Sequence, residues 1–302
     1  MDYEEIAAHF LTYSPAPTPV LPTSPARRLR DAVEAIATIG WWSRSAADSA
    51  NALGHDFFDA YVWGRAASLG ADVSAPVVVA AFGVFEAGLL GACYERARQV
   101  SSRDAVLAAR STGAAAGLAH ATAGVDVQDI KALGLQLLAA LGDLDVTARP
   151  LFGALRALAV PPDPHGRLWR AAELVREHRG DGHLAACVAA GLDPIEMNIL
   201  TEVWLEYPVG EYSSTRGFTK ERIALAVASL QARGWMTAEG TLSDEGRAGR
   251  ENIEWATDRS QQPFIDALGS AVEDVIRMAT VVSDAVVLAH AAPADPRKRA
   301  AG

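Results

Sequence analysis

Two cysteines in 302 residues, Cys93 and Cys187, cannot build a disulfide framework or a thiolate zinc cage. A reduced, intracellular thiol state is expected. Positive charge is also scarce. The 27 Lys and Arg stand against 37 Asp and Glu, a formal charge of −10. Proteins whose main partner is a polyanion are basic at least locally, so DNA is an unfavoured partner. No run of about 18 uncharged apolar residues occurs. The nearest approach, 74–92, carries Glu86 and three glycines and reads as a core helix. The opening MDYEEIAAHF places Asp2, Glu4 and Glu5 where a secretory leader would carry cations. A cytoplasmic protein with no membrane partner is expected. No Walker loop, G-x-G-x-x-G, G-x-S-x-G, H-E-x-x-H or C-x-x-C is present, so neither cofactor nor metal is expected.

What is present is helix-forming. Half of the residues are hydrophobic and 21% are charged, an ordinary globular balance. Residues 13–25 hold five of the fifteen prolines and read as an extended arm. Beyond Pro25, Ala, Leu, Arg and Glu dominate, with apolar residues recurring at three and four. The pattern predicts helices over 25–40, 45–53, 56–70, 75–92, 102–122, 126–141 and 148–158. Pro161-Pro162-Asp163-Pro164 is the strongest break. After it come helices over 166–179, 182–190, 193–206 and 219–233. A short hairpin tipped by Glu239-Gly240 follows, then a helix capped by Ser243 and a long one over 262–290. The last ten residues read as a frayed tail. Four segments result: an arm, 1–25; a helical half, 26–160; a second half, 161–260; and a terminal helix with its tail, 261–302.

Two constellations hold the polar chemistry. The first is the run from Arg176 to His183, at an expected helix–helix turn. His178, Asp181 and His183 could serve acid–base catalysis there, and Arg179 with His183 could hold an anion beside a helix start. The structural alternative is that Gly180 stops one helix, Asp181 caps the next and Arg176, Glu177 and Arg179 are a solvated face. The second is Tyr61, Trp63 and Arg65. Tyr61 and Arg65 share a helix face, and Arg65 in an apolar setting needs either Glu86 or an anionic ligand. Trp41, Trp42 and Phe82 could wall an apolar pocket beside them, although aromatics more often only fill a core. His120, on an apolar helix, reads as a core histidine.

Residues 193–259 resemble the winged-helix domain of MarR-type transcription factors. The resemblance rests on Leu230, Gly234-Trp235, Gly240, Leu242-Ser243, Gly246 and the run Glu254 to Asp258. The whole chain is similar to an actinobacterial family of helix-turn-helix-like proteins. The matching elements are Tyr61 to Ala66 with Leu69-Gly70, and Val175 to His183. A weak internal repeat lays 29–37 over 168–176, 50–63 over 188–204 and 74–90 over 219–235. The fold expected is mainly α: two winged-helix-derived halves fused in tandem, with one small β wing in the second. If the chain reads DNA, the resemblance puts Lys220, Arg222 and Arg233 on the reading helix. Over 219–251, however, five cations meet five anions, and phosphate binding needs a cationic excess.

The function expected is a small-molecule binder on a repurposed fold. A largely apolar or aromatic ligand with a polar or anionic end would lie between the halves, held by Trp41, Trp42, Tyr61, Arg65, Phe82, Glu86, Arg179 and His183. The alternatives are a cofactor-independent enzyme in the same cleft and a ligand-responsive regulator. The arm and the last helix could support a homodimer, while fused halves would also permit a monomer.

Overall fold

Local capping starts most of the helices. The structure, a computed structural model, describes residues 3–12 and 20–300. Most of the expected proline arm, 13–19, lies outside the described residues. A short helix α1 (Tyr3–Ile6) continues as a π-helical turn, Ala7–Leu11. In α2 (Pro25–Trp42), Ser24 Oγ accepts from the Arg27 amide at 3.0 Å and proline fills the first turn. Then follow α3 (Arg44–Asn51), α4 (Phe57–Ala66), α5 (Ala75–Phe82), α6 (Ala87–Val100), α7 (Arg103–Ala121), α8 (Val127–Leu141) and α9 (Pro150–Arg156). Asp163 and Pro164 start α10 (Pro164–Ala189), and a complete capping box of Asp193 and Glu196 starts α11 (Pro194–Trp204). After these come α12 (Glu211–Thr215), α13 (Lys220–Ala232), α14 (Asp244–Ser260), α15 (Gln262–Leu268), α16 (Val272–Leu288) and α17 (Pro296–Ala300).

The central element is α10, flanked by α2, α7, α8, α9 and α14. Its apolar residues Leu168, Trp169, Ala171, Ala172, Leu174 and Val175 join Val33, Ile36, Leu118, Leu137 and Val282 in the main core. A second core lies among α4, α5, α6 and α7, around Val62, Trp63, Phe82 and Tyr94. A third joins α11, α13 and α14 through Ile199, Ile223, Leu230 and Ile253.

The expected elements depart from the structure at five places, and His120, expected in a core, is exposed at the end of α7. The helix expected over 75–92 breaks at Gly83, whose φ of +71° ends α5. The turn expected at Gly180-Asp181 does not exist, because α10 runs through it. A Cβ at Gly182 would collide with the Ser260 hydroxyl, so this glycine serves close approach of α14 rather than a stop. The wing is reduced to one antiparallel bridge, Met236 to Leu242, and no strand is present among the described residues. The long terminal helix divides at Gly269, with φ +55°. Finally, the tail is not frayed through Ala300. Within it α17 docks Ala300 against Leu205 and Tyr207.

No single helix among the described residues is long and apolar enough to cross a membrane. The one bent pair that passes on composition, α10 with α11, turns by 106° and buries Glu173, Glu177 and Glu202.

A buried arginine chamber beside an aromatic cavity

The interior between α2, α4, α10 and α14 is charged. On α4, the i,i+4 spacing brings Arg65 Nη1 within 2.8 Å of Tyr61 Oη. The rest of the guanidinium grips Glu177 on α10, with Nη2 2.9 Å from both carboxylate oxygens. Arg176 Nη1 donates to the same carboxylate at 3.0 Å, and its Nε reaches Glu34 Oε1 at 3.4 Å. Burial alone would raise the Glu177 carboxyl, but the guanidiniums of Arg65 and Arg176 outweigh it and hold the pKa below the ordinary value. The expected Arg65–Glu86 pair is therefore not formed. Glu86 instead caps α6, accepting from the Leu89 amide at 2.6 Å, and lies 3.9 Å from Arg222.

A second knot centres on Glu254 of α14. It accepts from Arg179 Nη2 at 2.9 Å, from Arg250 Nη1 at 2.5 Å and from Arg27 Nη1 at 3.4 Å. Burial opposes its ionisation, yet the surrounding cations, Arg250 foremost, hold its pKa far below the usual range. Arg179 also reaches Asp258 at 3.0 Å. Arg179 is thus buried in a network and does not belong to a solvated face.

The three candidate acid–base residues do not converge. His178 Nδ1 lies 2.7 Å from Gln261 Oε1, with its ring against Phe152. His183 Nδ1 lies 3.0 Å from Thr257 Oγ1, beside Cys187. Burial lowers the pKa of His178 to about 4 and that of His183 to about 3, so both are neutral at pH 7. Asp181 caps α9 from the side, its Oδ2 accepting from the Phe152 amide at 2.9 Å. Burial outweighs that bond and raises its pKa to about 7.

The aromatic candidates do meet. The Arg65 guanidinium lies 4.5 Å from the Phe82 ring, 5.3 Å from Tyr61 and 5.7 Å from Trp41. Tyr61 and Trp41 are in edge contact at 5.0 Å. Trp42 stands further out, between Phe57 and Phe10. Trp41, Trp42, Phe57 and Tyr61 wall a cavity of about 450 Å³, together with Phe58, Tyr207 and Tyr212. A smaller chamber of about 120 Å³ adjoins it, lined by Arg65, Phe82, Arg176, Glu177, Arg179, Asp181 and His183 among others. Tyr61, Arg176, Tyr212 and Arg216 line both. Glu86 lines neither; it borders a separate groove by α5 and α11.

Several residues of this arrangement were not among the sequence candidates. Arg27, Arg30 and Glu34 extend the charges along α2, and Tyr212 and Arg216 come from a stretch that reads as polar loop. A faint signal exists for the first group: charges at three- and four-residue spacing run through two long helices whose other positions are apolar. Arg216 is distinctive. Among the described residues no carboxylate pairs with it. Its guanidinium stacks over Tyr212 at 4.3 Å and Phe85 at 4.7 Å, Nη2 donates to Tyr212 Oη at 2.5 Å, and Nε is buried without an acceptor.

The candidate DNA-reading residues are dispersed. Arg233 is committed to the end of α10, donating to the Ala190 and Gly191 carbonyls at 2.9 and 2.8 Å. Lys220 and Arg222 are exposed, and the other exposed positions of α13 are Glu221, Ala224, Leu225, Ala228, Ser229 and Ala232, none of them a cation.

The sequence matches the model of a helix-turn-helix family over residues 26–293. No curated protein and no solved structure matches it.

Proposed function

The chain belongs to that helix-turn-helix family, and from this premise we propose that it is a small-molecule-binding protein that holds an apolar, largely aromatic ligand by its anionic end. The observation that carries this reading is the junction at Arg216. An aromatic cavity of ligand size opens there onto a chamber lined by guanidiniums. Most of those guanidiniums are already neutralised: Glu177, Glu254, Glu34 and Asp258 each take at least one. Arg216 is not, and it sits where both cavities meet. An anion placed against it exchanges no existing ion pair, and the aromatic walls offer the ligand body a dry surface.

The same reading treats the chain as two winged-helix-derived halves in tandem. In support, the local signals recur in the same order. Ser24-Pro25 and Asp163-Pro164 start the long helices α2 and α10. Asp56 and Asp193 cap α4 and α11, and Ser74 and Thr219 stand at the starts of α5 and α13. Gly83 and Gly234 then turn left-handed at φ +71° and +75°. The second half keeps a bridged hairpin where the first passes directly to α6. The chamber lies where α4 of one half meets α10 and α11 of the other.

Mass spectrometry of the protein purified under native conditions tests the reading. An acidic aromatic or lipid-like compound should co-purify and be lost from Arg216→Met. Loss of one charge-assisted contact weakens binding by about 10- to 100-fold. A preparation free of ligand, with no binding of 2-naphthoate, would overturn the proposal. The family favours one other reading, a regulator contacting DNA through Lys220 and Arg222. Discrete protein–DNA bands at moderate salt that vanish in Lys220→Ala/Arg222→Ala would support it. The exposed Glu221 between those two cations and the net charge of −10 weigh against that outcome.

A further inference from the structure

On the far side of Trp41 and Tyr61 lies a third cavity of about 430 Å³, bounded by α2, α3, α4 and α7. Its walls are small on all four helices: Gly40, Ala46, Ala47, Ala50, Ala60 and Ala109. Short side chains alone would only make room. The polar groups bordering that room are unusual, because they are buried donors without acceptors. Among the described residues Trp41 Nε1 has no partner, and neither do Nε and Nη1 of Arg110, although each residue is only 8% exposed. His55, 1% exposed, holds Ser101 Oγ with its Nε2 at 2.7 Å and leaves Nδ1 unpartnered. The Arg110 guanidinium lies 5.9 Å from the Trp41 ring, close enough for one small ligand to reach both.

Charge points the same way. Arg110 and Arg170 are both buried and both pair with Glu173, which is fully enclosed. One carboxylate thus serves two guanidiniums. Burial already lowers the pKa of Arg110. An unbalanced buried cation is costly, and a single negative charge at the cavity would balance it. A dianion would overshoot. Among the described residues the one carboxylate on the wall is Asp56, which is held as the cap of α4, accepting from the Asp59 amide at 2.9 Å.

We infer that this cavity is a second ligand site, taking a small aromatic monocarboxylate whose carboxylate meets Arg110 and the indole N–H of Trp41. The planar fork of a guanidinium matches a carboxylate. The rings of Trp41, Phe57 and Tyr61 and the alanine walls suit one aromatic ring. The site is separate from the arginine chamber, and it stands whether or not that chamber binds anything.

The test uses the full chain with benzoate and 4-bromobenzoate. In crystals grown with 4-bromobenzoate, the bromine anomalous peak should lie in the cavity between α3 and α7. In titration calorimetry, benzoate should bind at least about tenfold more tightly than neutral benzamide, as loss of a charge-assisted bond implies. Ala50→Phe, a half-buried position on the cavity wall, should weaken benzoate by at least about tenfold. Leu225→Ala, an exposed position on α13 that borders none of these cavities, should leave it within about threefold. A bromine peak only in the arginine chamber, no binding at all, or equal affinity for benzamide would overturn the inference. The bromine position is read on the unaltered chain, so the result does not depend on either variant folding.

Discussion

Asp181→Asn should reveal a proton that the folded chain holds and the unfolded chain does not. Asp181 is 3% exposed, and burial places its pKa at about 7. The unfolded value is about 3.9. Between these limits the folded state is protonated while the unfolded state is not. The contribution of Asp181 to stability is therefore full below about pH 4 and is lost as pH rises to about 7. The slope is about 1.4 kcal/mol per pH unit. His178, 2% exposed and lowered to about 4, works in the opposite sense. Its contribution is complete above about pH 6.5 and drains away as pH falls toward 4. In the native protein the Asp181 slope offsets that of His178, while His183, lowered to about 3, adds a second slope in the histidine sense. Asparagine keeps an acceptor for the Phe152 amide but has no proton to release, so the variant loses the Asp181 slope and keeps those of the two histidines. Relative to the native chain, Asp181→Asn should gain about 2.7 kcal/mol between pH 4.5 and 6.5. Urea titrations followed by far-UV circular dichroism at pH 4.5, 5.5 and 6.5 measure this. With a urea dependence of about 3 kcal/mol per molar, the midpoints should separate by about 1 M more at the upper pH. Parallel midpoints across the three pH values would refute the assignment of a protonated Asp181.

Glu177→Gln should cost about 3–5 kcal/mol in urea unfolding, because it leaves Arg65 without its buried counter-charge. Replacing both partners, as in Arg65→Met with Glu177→Leu, should cost less than the single change; a larger loss would show that the pair itself stabilises the fold. Because the pKa of Glu177 is held low, its contribution is present above about pH 4.5 and is lost on further acidification. Gly246→Ala should destabilise the hairpin region by more than about 2 kcal/mol, since the added methyl would run into the Trp235 carbonyl, a backbone atom that cannot turn aside. Limited proteolysis should then cut near 235–242, and an unchanged digestion pattern would contradict the packing described. Ser243→Ala removes the hydroxyl that accepts from the Gly246 amide at 2.9 Å and should cost about 1 kcal/mol by thermal unfolding.

Much of the candidate site was legible one residue at a time. Tyr61 and Arg65 sit on one helix face because four-residue spacing requires it, and an arginine among alanines and leucines had to have a partner. Which partner could not be read. Glu86 has apolar neighbours and Glu177 lies between Arg176 and His178, but neither setting, nor the sequence separations of 21 and 112 residues, says which side chain reaches Arg65. The run from Arg176 to His183 misled for a similar reason. Glycine and aspartate together look like a stop and a cap. Here Gly182 admits Ser260, and Asp181 caps α9 rather than its own chain segment. Arg216 was passed over because a polar loop gives no sign that its arginine will lie over two aromatic rings.

Helix starts were fixed by the chain alone. Ser24, Asp56, Asp126, Asp163, Asp193, Thr219 and Ser243 each bond an amide two or three residues ahead, so the signal and its partner are neighbours in sequence. Only the folded chain decided how the buried charges were matched, where α10 could continue through two glycines, and where cavities remained. Those outcomes depend on helices approaching from distant parts of the chain, and the energy of a buried ion is set by whatever that approach places within about 4 Å of it.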